Sequence, residues 1–125
     1  MQQHENSPAS NAHSAPGPDL AARAAREIAE VAAAEIITAS ALHLMSATAI
    51  RLGLDGEEHR DLDEARRLIT ALAGLVVAGA PEIGSIHAAP LRDGLRTLQL
   101  AFRDASPYPD EPGKGPGEKL TGPVV

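Results

Sequence analysis

The chain has 125 residues, carries 17 acidic against 11 basic side chains for a net charge of −6, and contains no cysteine. This length leaves room for one small domain. The acidic balance argues against sequence-independent nucleic-acid binding by the whole molecule, because such binders present a basic surface. The absence of cysteine excludes disulfides, thiolate metal sites and cysteine nucleophiles.

Residues 1–18 are polar, include three prolines and show no apolar periodicity. Such a segment cannot bury enough surface to offset the entropy lost on ordering, so we predict a disordered N-terminal tail. It also lacks a basic region followed by an apolar run, so no signal peptide is predicted and a cytoplasmic location is expected.

Residues 19–105 are predicted to form the helical domain. Asp19 is a candidate N-cap for an amphipathic helix with Leu20, Ala24, Ile28 and Val31 on its apolar side. The helix then runs into residues 36–50, IITASALHLMSATAI, which contain no Asp, Glu, Lys or Arg. This run is too short and too rich in hydroxyl groups to span a membrane, so it predicts a buried or interface helix.

Glu35 lies on the apolar side of that helix when the helical wheel is continued. One interpretation is a break or rotation of the helix near residues 32–35, because a single misplaced charge is costly on a buried face. The other is a carboxylate that pairs with an arginine across a helix contact. Both interpretations remain open from the sequence.

Two amphipathic helices are predicted to follow as a hairpin. The first runs from about Leu62 to Ala78 and ends at Gly79 and Pro81. An acidic turn precedes it, in which Asp61 and Glu64 have the spacing of a capping box. The second begins between residues 86 and 90 and ends before residue 106. The expected fold is therefore all-α, a long central helix packed on a two-helix hairpin, with tails at both ends.

Residues 106–125 contain five prolines and four glycines, which predicts an extended, disordered tail. If residues 20–52 form one helix, it measures about 50 Å, against about 25 Å for each hairpin helix. The hairpin would then leave part of the long helix bare. A second copy of the chain is the simplest way to cover this bare part. The alternative is a first helix that is broken and folds back on itself.

Several stretches resemble a known family: IAEV (28–31), HLMSATA (43–49), DLDEARRLITALAGL (61–75), APEIG (80–84), LRDGLRTLQLAFR (91–103) and PDEPGKGPGEKLTGP (109–123). Together they are similar to the actinobacterial branch of the domain of unknown function 1844 (DUF1844) family. The resemblance implies no activity, cofactor or catalytic residue. It implies only a gene position near translation initiation factor three and ribosomal protein genes.

No pair of histidines has ligand spacing on one helix, so we predict no catalytic residue, metal or cofactor, and no enzyme. The leading hypothesis is a non-catalytic module that associates with itself and with an unidentified protein partner, without a membrane. Its candidate interface residues are Ile28, Val31, Glu35, Leu42, His43, Met45 and Leu100. The alternative is a ribosome-associated, RNA-contacting factor whose candidate anion contacts are Arg66, Arg67, Arg92, Arg96 and Arg103.

Overall fold

The computed structural model describes residues 17–29 and 31–124, and the chain divides into one unit of residues 1–32 and another of residues 33–125. The described elements are, in order, α1 (Pro18–Ala29), α2 (Ala33–Arg51), a 3-10 turn (Glu57–His59), α3 (Leu62–Ile83), α4 (Ser85–Ala105) and the short α5 (Glu118–Thr121). No strand occurs in these two ranges. The prediction of an all-α fold with a central helix packed on a helical hairpin is confirmed.

Helix α1 is the described element of the first unit. It begins at Pro18, a residue whose fixed φ and missing N–H suit the first helical position. The Ala21 amide donates to the Gly17 carbonyl at 2.9 Å, so Asp19 lies inside the first turn and is not the N-cap. The helix buries none of its residues. Residues 1–16 of the predicted N-terminal tail lie outside the described residues.

Of the two interpretations of Glu35, the helix break is correct, because α1 ends at Ala29 and α2 begins at Ala33. Glu35 therefore stands in the first turn of α2, where the helix dipole favours a carboxylate, and its side chain is exposed. The break between α1 and α2 therefore explains why a carboxylate is tolerated at position 35. With 19, 22 and 21 residues, α2, α3 and α4 measure about 29, 33 and 32 Å, so the length argument for self-association no longer holds.

The hairpin of α3 and α4 is tighter than predicted. Asp61 caps α3 as its spacing to Glu64 suggested, with its side chain accepting from the Glu64 amide at 3.1 Å. Helix α3 then passes Gly79 and Pro81 and ends at Ile83. Proline in the last turn removes one backbone hydrogen bond and leaves the earlier turns intact. Gly84, at φ 81°, is the single residue between the two helices.

The core lies between α3 and α4, with α2 packed mainly on α3. Its largest contributions are the buried side chains Ile69, Leu72, Val76, Leu91, Leu95, Leu98 and Phe102. Two glycines, one on α3 and one on α4, allow α2 to lie close to the hairpin. A Cβ on Gly79 would lie 3.3 Å from Ile37 Cγ2, and a Cβ on Gly94 would lie 2.8 Å from Met45 Cε.

The C-terminal segment, residues 106–124, differs from the predicted disordered tail. It packs on the hairpin through α5, and it buries Pro116, Glu118 and Val124. The Glu118 carboxylate accepts from the backbone amides of Gly113 at 2.9 Å and Val124 at 3.4 Å. Composition missed this order because the backbone groups of a Pro/Gly-rich segment are here satisfied by specific side chains.

Candidate functional site

Helix α2 is the most apolar long helix of the unit, yet it buries only Ala41 and Thr48. One broad side remains in solvent, and we call it the α2 face. It consists of Ile36, Ala39, Ser40, Leu42, His43, Ser46 and Ile50. Its large aliphatic side chains are 40 to 52% exposed. Since exposed contiguous apolar surface typically marks an interaction site, the α2 face is the candidate functional site.

The spacing along the α2 face follows the pattern of a helix-packing seam. Residues 36, 39, 43, 46 and 50 recur at alternating steps of three and four, which places them in one line along the helix. Ala39 and Ser46 are small, so a second helix can approach closely at these two positions. No Asp, Glu, Lys or Arg lies within residues 36–50.

Two hydroxyl groups of α2 have hydrogen-bond partners within the helix. Ser40 Oγ donates to the Ile36 carbonyl at 2.8 Å, and Thr48 Oγ1 donates to the Leu44 carbonyl at 2.7 Å. Because these donors are satisfied within the helix, covering them costs little desolvation. The Ser40 hydroxyl therefore does not oppose burial of the face.

A shallow hollow of about 350 Å³ borders the α2 face. Its walls come from α2 and α4, and its lining residues are Met45, Ser46, Ala49, Gly94, Thr97 and Leu98. No charged side chain lines it. It offers a place for an apolar side chain of whatever covers the α2 face.

Helix α2 is also long and apolar enough, by length and composition alone, to cross a membrane, and 11% of the tested window is buried. Core helices of soluble proteins pass the same test, so the observation is weak evidence for a span. Here the buried side chains of Ala41 and Thr48 lie on the side that packs against the hairpin.

The structure separates the predicted interface residues. Leu42 and His43 lie on the α2 face, and Glu35 is exposed one turn before it. Met45 is half-buried at the edge of the face, beside Gly94. Leu100 is half-buried on α4 and does not line the hollow. The two predicted residues of the first unit, Ile28 and Val31, are 63% and 41% exposed.

Two of the five predicted anion contacts, Arg66 and Arg103, contact the C-terminal segment. Arg66 pairs with Asp110 at 2.9 Å, and its guanidinium lies 5.0 Å from the centre of the Phe102 ring. Arg103 Nη1 donates to the Asp110 carbonyl at 3.3 Å. Arg66 and Arg103 therefore hold the C-terminal segment against the hairpin.

The other three lie elsewhere. Arg67 pairs with Glu64 at 2.9 Å on the exposed side of α3. Arg92 and Arg96 line a cleft of about 370 Å³ between the hairpin and the C-terminal segment. The structure thus does not bring the five arginines into one row.

Sequence reasoning missed this cleft and the residue at its floor. Gln99 is 2% exposed, and its Nε2 donates to the Pro116 carbonyl and to Thr121 Oγ1, both at 3.1 Å. The available signal was a polar amide next to the apolar stripe of α4. In the described part of the chain, no three or more His, Cys, Asp or Glu side chains are placed to hold a metal ion.

One family model matches residues 33–104, and its description is domain of unknown function (DUF1844). The match begins at the first residue of α2 and ends one residue before the end of α4, so it covers the three packed helices. No curated protein and no solved structure matches the chain.

Proposed function

Since the chain belongs to the domain of unknown function 1844 (DUF1844) family, whose description assigns no activity, we propose from the molecule itself a non-catalytic function in self-association through the α2 face. The observation that carries the proposal is the exposure of an uncharged helix side with its aliphatic residues 40 to 52% open to solvent. A second copy of the chain brings an equally apolar surface to cover it.

The size of the face sets the strength that we expect. Burying a half-exposed Leu or Ile side chain completely contributes about 1 kcal/mol. Three such residues on each of two copies contribute about 6 kcal/mol, to which Ala39, Met45 and the bordering hollow add. Because association itself costs roughly 4 to 15 kcal/mol, little of this gain is left over, and we expect a weak dimer with a dissociation constant on the order of millimolar.

Light scattering and sedimentation equilibrium of the full chain, over a concentration series that extends from the micromolar into the millimolar range, test this proposal. We expect a mass that rises from monomer to dimer with concentration. The variant Ala39→Glu places a charge within the α2 face and should raise the dissociation constant by at least about tenfold, which corresponds to about 1.4 kcal/mol. A monomeric mass at every concentration contradicts the proposal.

The matched control is Ala71→Glu. Ala71 is also an exposed alanine inside a helix, so the change in helix propensity and net charge is the same, but it lies on α3. This control should leave the mass distribution of the wild type unchanged. An equal loss of association in both variants would assign the effect to net charge and contradict the role of the α2 face.

A lipid bilayer is the rival cover, given the length and composition of α2. Flotation with neutral phosphatidylcholine vesicles separates the two. We expect the chain to stay in the unbound fraction. A membrane-spanning position of α2 would require the helix to leave the hairpin and to expose Ala41 and Thr48, which are buried. Recovery of the chain with vesicles, abolished by Ala39→Glu, would replace self-association with membrane binding.

An RNA-contacting role at the ribosome remains the alternative proposal, with an unidentified protein partner as a further possibility for the α2 face. The position of Arg92 and Arg96 on one cleft is the observation in its favour. The engagement of Arg66 and Arg103 with Asp110 weighs against a continuous row of free cations. We therefore rank it second.

A further inference from the structure

The sequence of α2 reads nearly the same in both directions from His43. Five of the eight pairs equidistant from His43 are identical, namely 36 with 50, 38 with 48, 39 with 47, 40 with 46 and 42 with 44. A sixth pair, Glu35 and Arg51, has opposite charges. The remaining two pairs, 37 with 49 and 41 with 45, are apolar.

His43 also lies near the middle of the exposed arc of α2, between Leu42 on one edge and Ser40 on the other. Ile36 and Ile50 are each seven residues away, which is close to two helical turns, so they share the direction of His43. The centre of the pattern in sequence is therefore also the centre of the α2 face in space.

From this coincidence we infer that two copies of the chain pack their α2 helices antiparallel, with a two-fold axis at His43. The inference rests on the proposed self-association and specifies its geometry. A two-fold axis perpendicular to two antiparallel helices brings each residue to the height of the residue equally far on the other side of the axis in the partner copy. For α2, that operation brings identical residues of the α2 face to the same height, namely Ile36 with Ile50 and Ser40 with Ser46.

The resulting pairs suit one another chemically. Ile36 of each copy meets Ile50 of the other, so the two ends of the contact are aliphatic. Near the axis, Ala39 and Ser46 are small and permit close approach of the two backbones. The two His43 side chains face each other at the axis itself.

Charge complementarity favours the same arrangement. Glu35 is exposed at the start of α2, and Arg51 is half-buried at its end, where its Nη1 donates to the His59 carbonyl at 3.3 Å. Antiparallel packing places the carboxylate of one copy at the height of the guanidinium of the other, at both ends of the contact. Parallel packing places each of these charges at the height of the same charge in the partner, which is less favourable.

The natural chain has no cysteine, so single-cysteine variants of the full chain test the geometry directly. In antiparallel packing, the two copies of residue 43 are adjacent. The two copies of residue 36 are separated by fourteen residues of rise, about 21 Å, which no disulfide can bridge. We expect His43→Cys to form a covalent dimer under mild oxidation, and Ile36→Cys and Ile50→Cys each to remain uncrosslinked.

An equimolar mixture of Ile36→Cys and Ile50→Cys should form a crosslinked heterodimer, resolved by intact mass. This pair keeps the test informative if substitution at the axis disturbs packing. Ile86→Cys, at an 87% exposed position on α4, is the control for crosslinking by random collision. All variants are compared at the concentration at which the wild type is dimeric.

The outcomes separate the geometry from the proposed function. Self-crosslinking of Ile36→Cys in a chain that is dimeric by mass indicates parallel packing and overturns the inference while the proposed self-association stands. Crosslinking of Ile86→Cys alone in such a dimer moves the interface to α4 and overturns both. A monomeric wild type overturns the proposed function and the inference with it.

Discussion

Gln99 Nε2 and the Pro116 carbonyl oxygen form a buried hydrogen bond of 3.1 Å across 17 residues of sequence. The same nitrogen also donates to Thr121 Oγ1 at 3.1 Å. One amide group on α4 therefore contacts the C-terminal segment at two places, just before α5 and at the last residue of α5. The C-terminal segment owes its position to this side chain, to Glu118 and to the pairing of Arg66 with Asp110.

Gln99→Leu should release the C-terminal segment. The substitution keeps the buried volume but leaves the Pro116 carbonyl without its donor, which costs about 1 to 3 kcal/mol. The only two lysines, Lys114 and Lys119, both lie in this segment, so a lysine-specific protease cleaves the chain there alone. We expect faster cleavage and a lower urea midpoint than for the wild type.

The control for this experiment is Thr97→Val, at an exposed position two residues earlier on α4. Its cleavage rate should equal that of the wild type. Unchanged cleavage of Gln99→Leu would show that the two amide hydrogen bonds do not hold the segment.

Gly117 is where the C-terminal segment comes closest to the hairpin, and Gly117→Ala should dislodge it. The residue has φ 77°, and a Cβ there would lie 2.7 Å from Ala73 Cβ and 3.2 Å from Gln99 Nε2. Left-handed backbone alone costs alanine about 1 to 2 kcal/mol. The clash with Ala73, a short side chain on a packed helix, adds a cost of roughly 1 to 3 kcal/mol.

Ala73→Gly removes the Cβ that the new methyl group would meet, so it separates these two contributions. In urea unfolding, Gly117→Ala should cost clearly less stability in the Ala73→Gly background than in the wild type. Equal losses would show that backbone strain, and not the contact with Ala73, makes glycine necessary at position 117.

Thr38→Val should stabilise the chain. Thr38 Oγ1 is buried and lacks a hydrogen-bond partner within the described residues. Replacing the hydroxyl with a methyl group of similar size removes the cost of an unsatisfied polar atom, for an expected gain of about 1 kcal/mol. Thermal or urea unfolding measures the change in the free energy of unfolding.

Thr48→Val is the matched comparison on the same helix. Thr48 is fully buried, and its Oγ1 donates to the Leu44 carbonyl at 2.7 Å, so valine there loses a made hydrogen bond. It should be neutral or destabilising by up to about 1 kcal/mol. A gain in stability from Thr48→Val as large as that from Thr38→Val would indicate a general effect of valine in α2.

The double variant Arg92→Glu with Arg96→Glu tests the alternative function. If self-association through the α2 face is the function, the double variant should retain the dissociation constant of the wild type. Neither the wild type nor the double variant should then show salt-sensitive co-sedimentation with ribosomes. Salt-sensitive co-sedimentation of the wild type that the double variant loses would favour the RNA-contacting role, because phosphate contacts weaken steeply with salt.

The sequence by itself determined the helical class, the amphipathic hairpin and the cap of α3 at Asp61. These features follow from local signals, namely apolar residues at helical spacing and a capping side chain three residues from its partner. They are also where prediction and structure agree. Helix ends were less well predicted, because Gly79 and Pro81, which are stop signals in the sequence, lie inside α3, which continues to Ile83.

The tertiary structure decided which side of α2 is buried and whether the C-terminal segment is ordered. Residues 36–50 contain no charged side chain to mark a solvent side, so periodicity cannot orient the helix. Packing against the hairpin buries Ala41 and Thr48 and leaves Leu42 and His43 in solvent. The C-terminal segment is likewise ordered by partners such as Gln99 that are distant in sequence, because backbone polar groups need a donor or acceptor that only the fold brings near.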